Sequence, residues 1–397
     1  MIERPLYINE LKSFKDKKLI KVVTGIRRCG KSTIFDLYCD YLKSQGVSEE
    51  QIIHINLEEH EFDFIEKYNQ LYEYVEERML KDKMNYIFLD EVQRVDMFQK
   101  ACDSLYIKKN VDLYITGSNA QLLSGELATL LSGRYVEIKM LPLSFKEYIS
   151  HVGENDLIIK YNKYITESSF PYALDLESNK EKRAYLDGIF NTIILKDIAQ
   201  RKKISDISML EDITKFMFDS VGNLCSATKI ANTMSSKGRK ISVPTVESYL
   251  NALIEAFVLY KVERYDIKGK QYLSSGAKYY LSDIGLRYYL LGSKKADDGH
   301  VLENIVYLEL LRRGYDVYVG KTDEKEVDFV AVNEKGEEYY QVSYSVINEE
   351  TLQRELKPLN SIHDHNPKYL LTMDFTPYTS HNGIKQINVL DWLLEKE

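Results

Sequence analysis

Gly25-Ile26-Arg27-Arg28-Cys29-Gly30-Lys31-Ser32 lies between a short apolar run, Leu19-Ile20-Lys21-Val22-Val23-Thr24, and a helical pattern from Thr33 to Leu42. That order reads as a buried strand, a glycine-bounded loop and a helix. Glycine at both ends lets the chain turn tightly and bring backbone N–H groups close to an anion. In a loop of this type Lys31 reaches the β- and γ-phosphates of a nucleoside triphosphate and the Ser32 hydroxyl ligates Mg²⁺. The helix N-terminus behind them adds a favourable dipole. The expected nucleotide contacts are therefore Gly25, Ile26, Arg27, Arg28, Cys29, Gly30, Lys31, Ser32 and Thr33.

Working outward, apolar strand patterns recur between helical ones at 51–57, 84–90, 111–116 and 135–140. Strands alternating with helices imply an α/β fold whose parallel sheet binds ligands at the strand C-terminal ends. Tyr86-Ile87-Phe88-Leu89-Asp90-Glu91 carries two carboxylates at such an end. Asp90 is the expected partner of Ser32 on Mg²⁺, and Glu91 the group that activates water, which predicts hydrolysis and not binding alone. The next strand ends in Thr116-Gly117-Ser118-Asn119. Ser118 or Asn119 is either a γ-phosphate sensor or the N-cap of a helix from Ala120 to Leu131. Arg134 is read two ways: an arginine finger for a neighbouring subunit's nucleotide, or a cation complementing that helix's C-terminal dipole.

The chain has 397 residues, and at about 150 residues per domain that implies two or three. No apolar run approaches the roughly 20 residues of a membrane span. Met1-Ile2-Glu3-Arg4-Pro5-Leu6 lacks the apolar stretch of a secretory leader. The four cysteines, Cys29, Cys39, Cys102 and Cys225, have neither metal-ligand nor disulfide spacing, which reads as a cytoplasmic, reducing setting. A net charge of −8 argues against a protein that coats nucleic acid over its whole surface. Residues 196–270 depart from that average, with 13 Lys and Arg against 9 Asp and Glu. The 31 tyrosines read as compositional bias.

Gly25 to Thr33, Leu89-Asp90-Glu91-Val92-Gln93, Ile115-Thr116-Gly117-Ser118-Asn119, and Leu131-Ser132-Gly133-Arg134 followed by Leu141-Pro142-Leu143-Ser144-Phe145 occur in that order. The set resembles the bacterial and archaeal AAA+-type ATPases that carry a C-terminal domain of unknown function, DUF4143, and the resemblance covers essentially the whole chain. It implies an ATPase core over 1–140 and a helical lid over 141–195. The family's Gly-Gly-Phe-Pro-like lid motif is Ser168-Ser169-Phe170-Pro171 here.

Residues 196–295 read as a winged helix. Ala227–Met234 is a short helix, Ser235–Lys240 a basic turn, and Ser242 caps a longer helix with Pro244 in its first turn. A hairpin follows, with its tip at Lys268-Gly269-Lys270. Two readings stand: docking on DNA, with Lys237, Arg239, Lys240, Lys268 and Lys270 on phosphates, or packing as an adaptor without DNA. Arg201-Lys202-Lys203 reads as a solvated helix end.

From 296 to 397 a small α/β region resembles the PD-(D/E)xK nucleases, whose chemistry needs two carboxylates for Mg²⁺ and a lysine beside the attacking hydroxide. Glu303 and Asp328 fit the carboxylate positions. Gln341-Val342-Ser343 stands where an acidic residue and a lysine belong, so the centre reads as degenerate. Lys321 or Lys325 would have to replace the missing cation. The whole reads as an Mg-ATP-hydrolysing protein that transmits its nucleotide state to the later regions, either on DNA or as a signalling or defence switch acting through protein partners. A homo-oligomer and no membrane association are expected, and an Mg²⁺-dependent nuclease is a further alternative.

Overall fold

Strand β1 (Ile20–Thr24) is buried along its whole length and lies inside a parallel sheet, between β4 (Val111–Gly117) and β5 (Tyr135–Lys139). With β2 (Ile52–Asn56) and β3 (Asn85–Asp90) the order is β2-β3-β4-β1-β5. The computed structural model describes residues 2–118, 131, 133–153, 155–200, 202–292, 298–322, 325–375 and 379–395. The helix expected over Ala120–Leu131 and the position of Asn119 lie outside the described residues, Leu131 excepted.

Alternation along β3 and β4 explains why the sheet is covered on both sides. Ile87, Leu89, Leu113 and Ile115 pack with Leu71 and Val75 of α3 (Tyr68–Glu76) and with Ala101, Cys102 and Leu105 of α4 (Phe98–Ile107). Phe88 and Tyr114 stack with centroids 4.6 Å apart and meet Phe35 and Tyr38 of α2 (Lys31–Ser44). A first helix, α1 (Pro5–Ser13), completes this part. At the strands' N-terminal edge Lys21 and Asp112 form a wholly buried ion pair, which also takes hydrogen bonds from Asp16 N and the Tyr114 hydroxyl.

The chain separates into two compact units, Met1–Pro142 with Glu255–Phe257, and Leu143–Ile254 with Val258–Glu397. The second begins with helices α5 (Phe145–Ile149), α6 (Leu157–Glu167) and α7 (Asn179–Asn191), a π-helical run at Thr192–Gln200, and α8 (Ile207–Asp219). The segment expected as a lid thus groups with the later regions rather than with the sheet of β1. Then come α9 (Ala227–Ser236), α10 (Val243–Glu255), and a hairpin of β6 (Leu259–Asp266) with β7 (Gln271–Leu281).

This hairpin is not a free-standing wing. After α11 (Ile284–Leu291) and α12 (Asp298–Arg312), strand β8 (Asp316–Thr322) runs parallel to β6, with Arg264 opposite Val319. Strands β9 (Lys325–Asn333), β10 (Gly336–Ser343), β11 (Lys368–Thr372), β12 (Thr379–His381) and β13 (Ile384–Asn388) extend the same sheet in the order β12-β13-β11-β10-β9-β8-β6-β7. The division placed at 295/296 therefore separates strands that share one sheet. Helix α13 (Glu349–Asn360) packs Leu356 and Leu359 against Val327, Val330, Tyr339 and Leu370, and α14 (Val389–Leu393) ends the described fold.

Candidate nucleotide site

The loop from Gly25 to Gly30 leaves the C-terminal end of β1 and enters α2. Gly25 has φ +152, and a Cβ there would sit 2.1 Å from the Met140 carbonyl oxygen, so only glycine fits. Arg28 (φ 68) and Gly30 (φ 104) add left-handed residues, the backbone form of an anion-binding concavity. Arg4, itself buried, ties the loop down by donating to the carbonyls of Cys29 (3.1 Å) and Leu141 (2.7 Å). Nothing local in the sequence marked it. Ile26 and Cys29 have no exposed surface, and burial pushes the Cys29 thiol up, which disfavours its reactive thiolate.

Lys31 Nζ lies among the carbonyls of Gly25 (3.1 Å) and Ile26 (3.3 Å), and 3.7 Å from a carboxylate oxygen of Glu91. The Ser32 hydroxyl and the Thr116 hydroxyl both donate to Asp90. Burial raises the Asp90 pKa, and those two hydrogen bonds oppose the rise. Glu91 N donates to the Thr116 hydroxyl oxygen at 2.9 Å, and the Glu91 carboxylate accepts from Gln93 Nε2.

Among the described residues, three buried polar atoms at these strand ends and the turn after β3 have no hydrogen-bond partner: Asp90 Oδ2, Ser118 Oγ and Gln93 Oε1. Buried polar atoms are bonded as a rule, so three orphans on one sheet edge mark a place that a polar ligand completes. The Asp90 carboxylate and the Ser32 hydroxyl beside it are the hard oxygen ligands that Mg²⁺ takes when a phosphate supplies the others. The residues present therefore fit the ion.

The Arg27 side chain turns to Glu58 at 2.8 Å, and the Arg28 side chain is exposed. Arg134 precedes β5 at the opposite end of the sheet, where its carbonyl accepts from Ile20 N at 2.8 Å and its guanidinium pairs with Asp103. A parallel sheet puts the start of β5 at the far edge from the phosphate loop, so the structure does not bring Arg134 to that loop.

Residues 17–149 match the AAA domain family AAA_14, and residues 158–297 a domain of unknown function, DUF8612. An uncharacterized protein of Haemophilus influenzae is 42% identical over 400 residues, covering 100% of this chain and 99% of that one. An uncharacterized protein of Methanocaldococcus jannaschii is 31% identical over 372 residues, 88% of this chain and 79% of that one. The chain belongs to their family, and its residues 17–149 carry the AAA domain. Among solved structures, the chain is similar to a Walker-type ATPase of Pyrococcus abyssi, with TM-score 0.51 and 14% identity over 73% of this chain and 96% of that one. At that identity the likeness concerns the fold alone.

The second unit of the chain holds the residues matched to the nuclease pattern. Glu303 on α12, Asp328 on β9 and Gln341 on β10 do come together. Lys278 of β7 stands among them, its Nζ 2.8 Å from Glu303, 2.8 Å from Glu326 and 3.6 Å from Asp328. The lysine that pairs with these carboxylates is thus Lys278, where the sequence offers Lys321 or Lys325. Gln341 bridges Asp328 N and Glu355, whereas Ser343 turns to the Ser345 carbonyl and takes no part. Burial, then the neighbouring Glu303, push the Asp328 carboxyl up to about 7. Burial works against Glu303 as well, but Lys278, His300 and Tyr280 outweigh it and hold Glu303 below the usual range. Among the described residues no group of three His, Cys, Asp or Glu side chains could hold a metal ion.

The lid motif is also occupied internally. Ser168 Oγ, Ser169 N and Ser169 Oγ all donate to one oxygen of Asp283, whose other oxygen caps α11 at Leu286 N.

Proposed function

We propose that the chain binds Mg-ATP and hydrolyses it, and that the nucleotide state is transmitted to the helical and mixed-sheet unit. The observation that carries the reading is the set of orphaned atoms, Asp90 Oδ2, Ser118 Oγ and Gln93 Oε1, on strand ends next to Lys31 and Ser32. Lys31 meets the β- and γ-phosphates, Ser32 and Asp90 hold Mg²⁺, and Ser118 senses the γ-phosphate. When bound, the ion neutralises charge on the phosphates. Glu91 accepts the proton of the attacking water. Calorimetry of Lys31→Ala tests binding: lost ATP affinity supports the assignment, and unchanged affinity contradicts it.

DNA is the partner that the second unit's surface favours. Lys237 and Lys240 after α9, and Lys268 and Lys270 at the hairpin tip, are all exposed. Arg239 is withdrawn from that set, because it pairs with Asp206 and Asp212 around the start of α8. Helix, basic turn, capped helix and hairpin follow in the order that a winged helix uses. The DUF4143 character of the C-terminal region rests on the sequence motifs. A protein that retains nucleotide and changes its assembly without responding to DNA would instead be a switch acting on protein partners.

A further inference from the structure

We propose that Gln93 positions the attacking water, holding Glu91 with one end of its carboxamide and the water with the other. The inference rests on the ATPase reading above. Gln93 lies in the 3-10 turn Val92–Arg94, and Glu91 heads that turn with φ 52. This reversal brings the Gln93 side chain back beside the carboxylate. Gln93 Nε2 donates to Glu91 Oε2, while Glu91 Oε1 faces Lys31 Nζ at 3.7 Å. Each carboxylate oxygen therefore has its own neighbour, and the group is fixed in direction.

The other end of the amide is the informative one. Gln93 Oε1 is buried and has no partner. Leaving a buried carbonyl oxygen unpaired is costly, and a water admitted when the nucleotide enters the site satisfies it. Such a water gives one O–H to Gln93 Oε1 and the other to Glu91, which leaves an oxygen lone pair free for attack. In the step itself the water oxygen bonds to the γ-phosphorus, and the bond from that phosphorus to the bridging β,γ-oxygen breaks. Its electron pair stays on the ADP leaving group, and the water proton passes to Glu91. Gln93 neither gains nor loses a proton; it fixes the direction of the nucleophile, a role glutamine fills in other nucleotide hydrolases.

The test uses the full chain and Gln93→Met, which keeps the length of the side chain and removes both polar ends. ATP turnover, ATP affinity and the thermal midpoint are measured together. The expected result is a kcat about 10- to 100-fold lower, with KM, ATP affinity and thermal midpoint unchanged. Glu91→Gln with Gln93→Met should be no slower than Glu91→Gln alone, because both act on one water. Should Gln93→Met lower the thermal midpoint, Gln93→Ala carries the same expectation for kcat. A wild-type kcat in these variants, or a kcat that falls only in step with ATP affinity, overturns the role of Gln93. Loss of turnover in Glu91→Gln with none in Gln93→Met sinks this inference and leaves the ATPase reading intact. Wild-type turnover in Glu91→Gln sinks the base assignment on which it rests.

Discussion

Asp90 has no exposed surface, and its two oxygens face different fates: one accepts from Thr116, while the other has no partner. Asp90→Asn keeps the shape and removes the charge that Mg²⁺ needs. We expect Mg²⁺-dependent turnover to fall roughly 100-fold, read by phosphate release across an Mg²⁺ titration. Asp328 poses the opposite case, a carboxyl pushed up to about 7 by burial and Glu303. Between the unfolded value near 4 and the folded value, the native state binds more protons than the unfolded one, so this group's contribution to stability falls as pH rises. Asp328→Asn should therefore flatten the decline in unfolding free energy from pH 4 to pH 7, measured by urea denaturation at successive pH values. Local pattern made Lys31, Ser32, Asp90 and Glu91 readable, because loop, strand end and charge are neighbours in sequence. Arg4 reaches Leu141, 137 positions away, and Lys278 reaches Glu303 across 25. Neither carries a period or a motif that a single sequence displays.

At the scale of elements, the strands of the first sheet were legible because each is a short apolar run between helical periods, as 84–90 is for β3. The hairpin was legible as a hairpin but not as part of the C-terminal sheet. Its link is the pairing of β6 with β8, between Arg264 and Val319. Lys278 reinforces that sheet by joining β7 to α12 and β9 through three carboxylates. Lys278→Met leaves those carboxylates unopposed, and we expect a loss of about 3–5 kcal/mol, larger at pH 8 than at pH 5 because more of them are then charged. Denaturant melts at the two pH values check it. Asp283 is the comparable joint for Ser168, Ser169 and the first turn of α11. Asp283→Ala should cost about 2–4 kcal/mol by the same measurement. The sequence showed Ser168-Ser169 only as a departure from the Gly-Gly-Phe-Pro-like motif; the partner of Ser169 lies 114 positions on and is invisible to a local reading.

At the scale of the molecule, a unit carrying the AAA domain and a helical and mixed-sheet unit share one chain. No described helix is long and apolar enough to cross a membrane. If the exposed lysines 237, 240, 268 and 270 meet phosphates, DNA binding should weaken with salt, and each lysine-to-alanine change should reduce the salt slope by about 1. Fluorescence anisotropy across a salt series reads both. The central claim is that the strand-end cluster hydrolyses ATP, and single-turnover phosphate release with ATP and Mg²⁺ tests it most directly. The account predicts turnover by the wild-type chain, none by Lys31→Ala, and only a slow residual rate in Glu91→Gln although the latter still binds ATP. Wild-type turnover in Glu91→Gln, or a wild-type chain that binds ATP and never cleaves it, would contradict it.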